Sequence, residues 1–339
     1  MTASTACDGK LAKWLGDRVP ALAPPLRSRR IGAGQSNVTV LLTDAAGTEW
    51  ILRRPPLADG GSAAHGVHRE ARILHALAGT AVPVPEVVAT GVDEAGIDGP
   101  FAVMARARGI PLAEEHDATA LTASERMWLA TDVVAVLAEL HALNPDEIGL
   151  ADLGSRDNYV ARQIRRMVRN WRTWGEDSAA DPAWRACRAR LEANVPEQHD
   201  VVLAHGDFRL ANLLVAEGRV TAVLDWELCT LGDPLADLAW LVDDWRAPDE
   251  PAIAMPSPTR AGGFADRTEL IADYVTRTGR DVGSLDYYRA FTHWKAATLL
   301  QGVLLRRRAG ELGEHGAPDL TELERTIRYL LDEALELAG

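Results

Sequence analysis

An α+β fold in two parts is predicted for this 339-residue chain. The small, sheet-bearing part covers residues 1–106 and the larger, mainly helical part residues 107–339. Three observations predict this. Short apolar and β-branched runs broken by Gly, Pro and Asp fill the first third. Apolar residues at spacings of three and four dominate from Leu121 onward. The length, with 47% hydrophobic residues, suits two cores better than one.

In chain order, Ile31-Gly32-Ala33-Gly34-Gln35-Ser36-Asn37 precedes a strand-like run, Val38 to Leu42. Small residues there let backbone N–H groups approach phosphates closely. Asn37 stands where a third glycine would complete the pattern, and Asn tolerates left-handed backbone. An ordinary glycine hairpin reads the same way. A second strand, Glu49 to Arg53, runs into Arg54-Pro55-Pro56, a helix follows from about His65 to Leu77, and Phe101 to Arg106 reads as a last strand entering a connector. Leu121 to Leu143 has helical spacing and stops before Asn144-Pro145. Helices are also expected over Arg156–Trp174, Arg267–Thr278, Tyr287–Arg308 and Leu320–Leu337, with surface loops at Pro248–Gly263 and Gly310–Pro318. The first loop is long enough to be mobile or to cover a substrate. There is no internal repeat.

Composition narrows the class. The formal charge of −13 argues against a general nucleic-acid binder, whose affinity comes from clustered Lys and Arg. No segment is long and apolar enough to span a bilayer, and Met1 to Lys10 lacks a signal-peptide core, so a cytoplasmic protein without a membrane partner is expected. Cys7, Cys187 and Cys229 are too widely spaced for a metal or redox pair. One local exception to the acidic balance is the run Arg162, Arg165, Arg166, Arg169 and Arg172, which gathers on one helical face. It reads either as a solvated face or as a clamp for phosphate or carboxylate groups. Trp171 and Trp174 on the same segment read as packing residues.

The chemistry lies between His205 and Glu227, in His205-Gly206-Asp207-Phe208-Arg209-Leu210-Ala211-Asn212 and then Val223-Leu224-Asp225-Trp226-Glu227. Moving a phosphoryl group to a hydroxyl needs a carboxylate at the attacking oxygen and oxygen ligands for Mg²⁺. Asp207, Asn212 and Asp225 supply such groups. Leu213 to Val215 and Val220 to Leu224 read as strands joined by a turn at Glu217-Gly218, a hairpin that brings Asp225 back toward Asn212. A carboxylate and an amide at one hairpin end suit Mg²⁺, which takes few protein ligands. Taken singly, Asp207 and Asp225 would pass for turn residues. The hydrolase signatures G-x-S-x-G and H-E-x-x-H and the phosphate loop G-x-x-x-x-G-K-[ST] are absent.

These motifs resemble the aminoglycoside phosphotransferase and choline kinase group, small-molecule kinases related to protein kinases. Gly206 stands where protein kinases carry Arg. Gly232-Asp233-Pro234 with Asp237-Leu238-Ala239 also matches. The resemblance implies a two-lobed, protein-kinase-like fold, with an antiparallel sheet in the small lobe, ATP between the lobes and Mg²⁺ as cofactor. It makes Asp207 the catalytic base or hydroxyl-orienting residue, Asn212 and Asp225 the Mg²⁺ ligands, and His205, Glu227, Asp233 and Asp237 structural supports. Nucleotide contacts fall to Gly32, Gly34, Gln35, Ser36, Asn37, Arg53, Glu70, Met104 and Arg106. Arg53 occupies a lysine position, facing Glu70, and an Arg fork binds phosphate differently from a lysine point charge. Glu70 alternatively reads as a solvated helix charge.

Four cues, Gly34-Gln35-Ser36-Asn37, Leu52-Arg53-Arg54-Pro55-Pro56, Arg162-Gln163 and Gln301-Gly302-Val303, resemble the branch found with acyl-CoA dehydrogenases and implicated in phosphorylating hydroxyacyl-CoA thioesters. That branch gives Arg162, Arg165, Arg166 and Arg169 an anionic small-molecule acceptor to bind. The alternatives are an aminoglycoside phosphotransferase, a choline- or homoserine-type kinase, and, in a different class, a nucleotide-binding pseudokinase scaffold.

Overall fold

The computed structural model describes residues 5–6, 9–31, 37–56, 64–310 and 319–339. The chain divides into two compact units, one of 1–109 with 221–228 and the other of 110–220 with 229–339. The sequence suggests a single break after residue 106, whereas here the segment carrying Asp225 groups with the first unit and Asn212 with the second. Local bonding accounts for the grouping of 221–228. Val223 N–H donates to the Pro83 carbonyl at 2.8 Å, and Arg69 donates to the Glu227 carbonyl at 3.3 Å.

In the first unit, β1 (Thr5–Ala6), β2 (Arg27–Ile31), β3 (Val38–Thr43), β4 (Glu49–Arg54), β5 (Val87–Val92) and β6 (Pro100–Ala105) form an antiparallel sheet of order β1-β2-β3-β4-β6-β5. One helix covers each face. α1 (Gly9–Gly16) packs Leu11, Trp14 and Leu15 against Leu42, Trp50, Leu52, Phe101 and Val103. α2 (Ala64–Leu77) packs Val67 and Ala71 against Ala102. Side chains alternate across a strand, so β6 is buried on both faces and reads as an unbroken apolar run. Gly91 is fixed by this packing, since a Cβ there would lie 2.6 Å from the Phe101 ring.

The second unit is helical around α8. Its elements are β7 (Ile110–Pro111), α3 (Ala123–Ala142), α4 (Tyr159–Trp174), α5 (Asp181–Ala193), β8 (Val202–Ala204), β9 (Leu213–Ala216), β10 (Arg219–Val223), β11 (Thr230–Gly232), α6 (Pro234–Asp244), α7 (Arg267–Thr278), α8 (Leu285–Arg308) and α9 (Leu320–Leu337). Small sheets of order β10-β9-β7 and β11-β8 accompany the helices. Strand β10 carries the chain into the first unit after Val220. Glu217 and Gly218 have φ of 54° and 69°, the pair of positive values that a tight two-residue hairpin turn requires. α8 is buried around most of its circumference, as a central helix must be.

Trp171 and Trp184 stack with centroids 4.7 Å apart, and Trp184 stacks on Trp294 at 4.9 Å, joining α4, α5 and α8. Each indole N–H is satisfied, by Asp181, Thr298 and the Trp184 carbonyl respectively. The loop at Pro248–Gly263, read as mobile or as a substrate cover, is tied down. Ala254 N–H donates to Thr326 Oγ1 at 2.8 Å, Ser257 Oγ to the Asp244 carbonyl and Thr259 Oγ1 to the Arg246 carbonyl. Cys187 and Cys229 are buried and not in a disulfide with each other, and burial pushes the Cys187 thiol up to about 12.

Candidate active site

In the second unit, the fully buried β8 delivers His205-Gly206-Asp207 to the surface, and α6 holds that loop from behind. The Asp237 carboxylate accepts from His205 N–H at 2.6 Å and Gly206 N–H at 2.7 Å, with His141 Nε2 3.4 Å away. Asp233 caps α6 through Leu235 N–H at 2.9 Å and accepts from the Tyr288 hydroxyl at 2.7 Å. His205 is buried, accepts from Asp207 N–H at 3.2 Å through Nδ1, and meets Phe208 edge-on.

Asp207 and Asn212, both half-buried, bond directly. Asn212 Nδ2 donates to Asp207 Oδ2 at 2.7 Å and to its carbonyl at 2.9 Å. This leaves Asp207 Oδ1 and Asn212 Oδ1 without a hydrogen bond among the described residues. Two oxygens released from internal bonding in this way can meet a hydroxyl and a cation.

Two loop-holding groups have no place in the motif reading. Lys295 of α8 donates to the Gly206 carbonyl at 2.8 Å. Asp244 of α6 accepts from Leu210 N–H at 3.3 Å and stands 3.5 Å from Arg209 Nε. A signal for the lysine exists in the sequence, because Lys295 follows Trp294 within a helix whose other residues are mostly apolar.

In the first unit, β4 points Trp50 and Leu52 toward α1, and the alternation turns Arg53 toward α2. Glu70 stands in the inward stripe Val67-Glu70-Ala71-Leu74 and is only 4% exposed. Arg53 Nη1 bonds Glu70 Oε1 at 2.6 Å, so the reading of Glu70 as a solvated helix charge is excluded. Asp225 has φ 64°, and its Oδ1 lies 3.6 Å from Arg53 Nη2. That oxygen is buried and accepts no hydrogen bond among the described residues. A buried acceptor without a donor is costly unless a cation takes it, which suits a hard ion such as Mg²⁺. The Glu227 side chain is exposed.

The other expected nucleotide residues fare unequally. Gly32, Gly34, Gln35 and Ser36 lie outside the described residues, and Asn37 opens β3. Met104 sits inside β6 opposite Ile51 and Val87, and the Arg106 side chain is engaged by Glu49. On α4, Arg162 is not part of a clamp. It donates to the Leu231 carbonyl at 3.0 Å and to the Asp157 carbonyl, so its guanidinium serves as a brace. Arg165, Arg166, Arg169 and Arg172 are exposed and have no hydrogen bond or ion pair among the described residues. The Gln301-Gly302 cue marks helix packing, since Gln301 donates to the Trp174 carbonyl at 3.0 Å and a Cβ at Gly302 would lie 2.8 Å from the Trp174 ring.

Residues 27–271 match the phosphotransferase enzyme family. The chain belongs to that family. It is 30% identical over 319 residues to the mouse protein named acyl-CoA dehydrogenase family member 10, a match covering 90% of this chain but 29% of that protein. This phosphotransferase therefore spans under a third of that relative. Its fold is that of a protein from Ralstonia eutropha provisionally assigned as an aminoglycoside phosphotransferase, at TM-score 0.80 and 29% identity, with 98% of each chain covered. It is also that of the aminoglycoside phosphotransferase APH(4)-Ia in complex with AMP-PNP and hygromycin B, at TM-score 0.61 and 19% identity, with 95% of this chain and 98% of the other covered. The kinase-like α+β fold and the small-molecule phosphotransferase class read from the motifs both stand. No helix among the described residues is long and apolar enough to cross a membrane.

Glu70 carries a pH-dependent consequence. Burial pushes its carboxyl up to about 6 from 4.5, and the Asp225 and Glu227 carboxylates add to the rise, against the Arg53 guanidinium and a Trp226 backbone bond. A carboxyl raised in the folded state stabilises it below pH 4.5, and that contribution is lost as the pH climbs through about 6. The loss is on the order of 2 kcal/mol. Urea unfolding of wild type and Glu70→Gln checks this. The stability difference between them should move by that amount in favour of the variant between pH 4.5 and neutral pH. A constant difference would remove Glu70 from the titration.

Proposed function

We propose that this phosphotransferase moves the γ-phosphoryl group of ATP to the hydroxyl of an anionic acceptor of the hydroxyacyl-CoA type. The observation that carries the transfer is the Asp207–Asn212 pair, bonded to each other through one oxygen while each keeps a second oxygen unbonded. Asp207 accepts the proton of the attacking hydroxyl and aims that oxygen at phosphorus. Asn212 and Asp225 are the residues that would hold Mg²⁺. Magnesium, when bound, neutralises charge that develops on the phosphate oxygens. Arg53, oriented by Glu70, grips phosphate oxygens with its planar fork. Phosphate contacts are assigned to Gly32, Gly34, Gln35, Ser36 and Asn37, and adenine contacts to the chain at Met104 to Arg106, on the strength of the motif resemblance. His205, Asp233 and Asp237 keep the loop in register.

Charge supports the acceptor class. Arg165, Arg166 and Arg169 are exposed cations without an ion pair among the described residues, in a chain of net charge −13, and such a face attracts CoA phosphates while repelling a polycationic aminoglycoside. The kinship with acyl-CoA dehydrogenase family proteins points the same way. A second reading, transfer to an aminoglycoside, draws on the fold shared with the hygromycin B complex. The deciding experiment is a phosphate-transfer screen with Mg²⁺, ATP and GTP over 4-hydroxyacyl-CoA thioesters, kanamycin-like sugars, choline and homoserine. Turnover with the thioesters is expected. Turnover confined to the cationic sugars overturns the acceptor class, and no turnover with any acceptor favours a pseudokinase scaffold.

A further inference from the structure

Beside the Asp207 loop stand two basic side chains of the second unit, Lys295 and Arg166, neither in an ion pair among the described residues. Lys295 is 7% exposed, and its Nζ donates to the Gly206 carbonyl at 2.8 Å and lies 4.5 Å from the Trp240 ring centroid. Both partners are uncharged, and no carboxylate forms an ion pair with Lys295 among the described residues. α4 and α8 run alongside in the same direction, because Tyr159 and Tyr288 line one cavity while Trp174 packs under Gly302. Arg166 stands seven residues past Tyr159 and Lys295 seven past Tyr288, which brings the two cations level.

The charges interact accordingly. Burial depresses the Lys295 ammonium most and Arg166 depresses it further, while Asp207 and Asp237 pull the other way. Arg166 itself is exposed and has no ion pair among the described residues. The two carboxylates offset part of the burial cost of the lysine, and a second basic group beside it leaves the pair receptive to a further anion. A protein that only needed to pin the Gly206 carbonyl could do so with a neutral donor. Instead an amine with donors beyond the one spent on Gly206 stands next to the residue assigned to proton acceptance.

We propose that Lys295 and Arg166 form an oxyanion-receiving site beside Asp207, taking phosphate or carboxylate oxygens. The inference rests on the phosphotransferase reading above. Its shared chemistry has two sources, the γ-phosphoryl group of the nucleotide and an anionic group on the acceptor.

The test uses the full chain and inorganic phosphate as probe, titrated calorimetrically at low and physiological salt. Wild type should bind phosphate. Losing one charged hydrogen-bonding partner is worth about tenfold in affinity, so Arg166→Ser and Lys295→Met should each weaken binding by about that factor. Lys295→Arg should restore most of it. Arg328→Ser removes another exposed arginine, on α9, and should bind as wild type does. Should Lys295→Met fail to fold, Arg166→Ser decides alone. The proposal is overturned if wild type shows no phosphate binding, or if Arg166→Ser binds as tightly as Arg328→Ser. Kinetics then separate the sources. A γ-phosphoryl occupant makes the variants slow with every acceptor, whereas an acceptor-borne anion raises KM for anionic acceptors alone. Unimpaired transfer by Arg166→Ser with unchanged phosphate affinity removes the site while leaving the transferase intact.

Discussion

Replacing Asp207 with Asn is expected to lower turnover by about 10² or more while nucleotide affinity holds, the scale of an acid-base and positioning group. The substitution is nearly isosteric, which makes the result interpretable. Asn212 Nδ2 donates to Oδ2 of Asp207 at 2.7 Å and to its carbonyl at 2.9 Å. An amide oxygen at position 207 can still accept the first of these bonds, and the second involves only backbone. The loop is held further back, through Asp237 and the Gly206 carbonyl, and neither contact is touched. What disappears is the ability to take a proton, together with the negative charge that orients the hydroxyl. Steady-state rates and a calorimetric nucleotide titration on the same preparation separate these effects. Unchanged turnover would strip Asp207 of its role. A parallel collapse of nucleotide affinity would recast it as structural.

What the sequence made legible follows from where the information resides. The spacing of Asp207, Asn212 and Asp225 is local, and so are helix ends that carry their own caps. α7 starts at a capping box formed by Asp266 and Glu269 and stops at left-handed Gly279, and α9 starts at Asp319, so both ranges match their expected bounds. α5 went unread because its buried residues, Trp184, Cys187 and Leu191, are interleaved with arginines that dilute the periodicity. The binding of Pro248–Gly263 was equally hidden, since Ala254 finds its partner at Thr326, more than seventy residues later. Lys295 illustrates the same limit, as its contact at Gly206 is 89 positions away. Glu70 could be read either way until its burial resolved the choice. Helical phase was the missing clue, because Val67, Ala71 and Leu74 place position 70 on the apolar stripe.

Asp237→Ala should be the most destabilising single change near the loop, costing about 3–5 kcal/mol, the range for breaking one side of a buried charged network. The carboxylate is almost fully buried and accepts two main-chain N–H groups, at 2.6 and 2.7 Å, from the residues immediately before Asp207. Alanine strands both donors and leaves His141 facing the gap. Burial pushes the Asp237 carboxyl up, but the His141 interactions, the charge of His205 and the Gly206 bond outweigh it, holding the group below its ordinary value of 3.8. A depressed carboxyl stabilises the fold above its unfolded pKa and loses that contribution as the pH falls through the folded value. The wild-type advantage over Asp237→Ala should therefore be full at neutral pH and shrink only in strong acid, below 3.8. Asp237→Asn should fall between the two, because an amide can accept one of the N–H groups while its own NH₂ opposes the other. Urea unfolding of the three proteins across the acid range checks both the ordering and the pH limb. If Asp237→Ala unfolds at the wild-type midpoint, the loop is held by something other than α6.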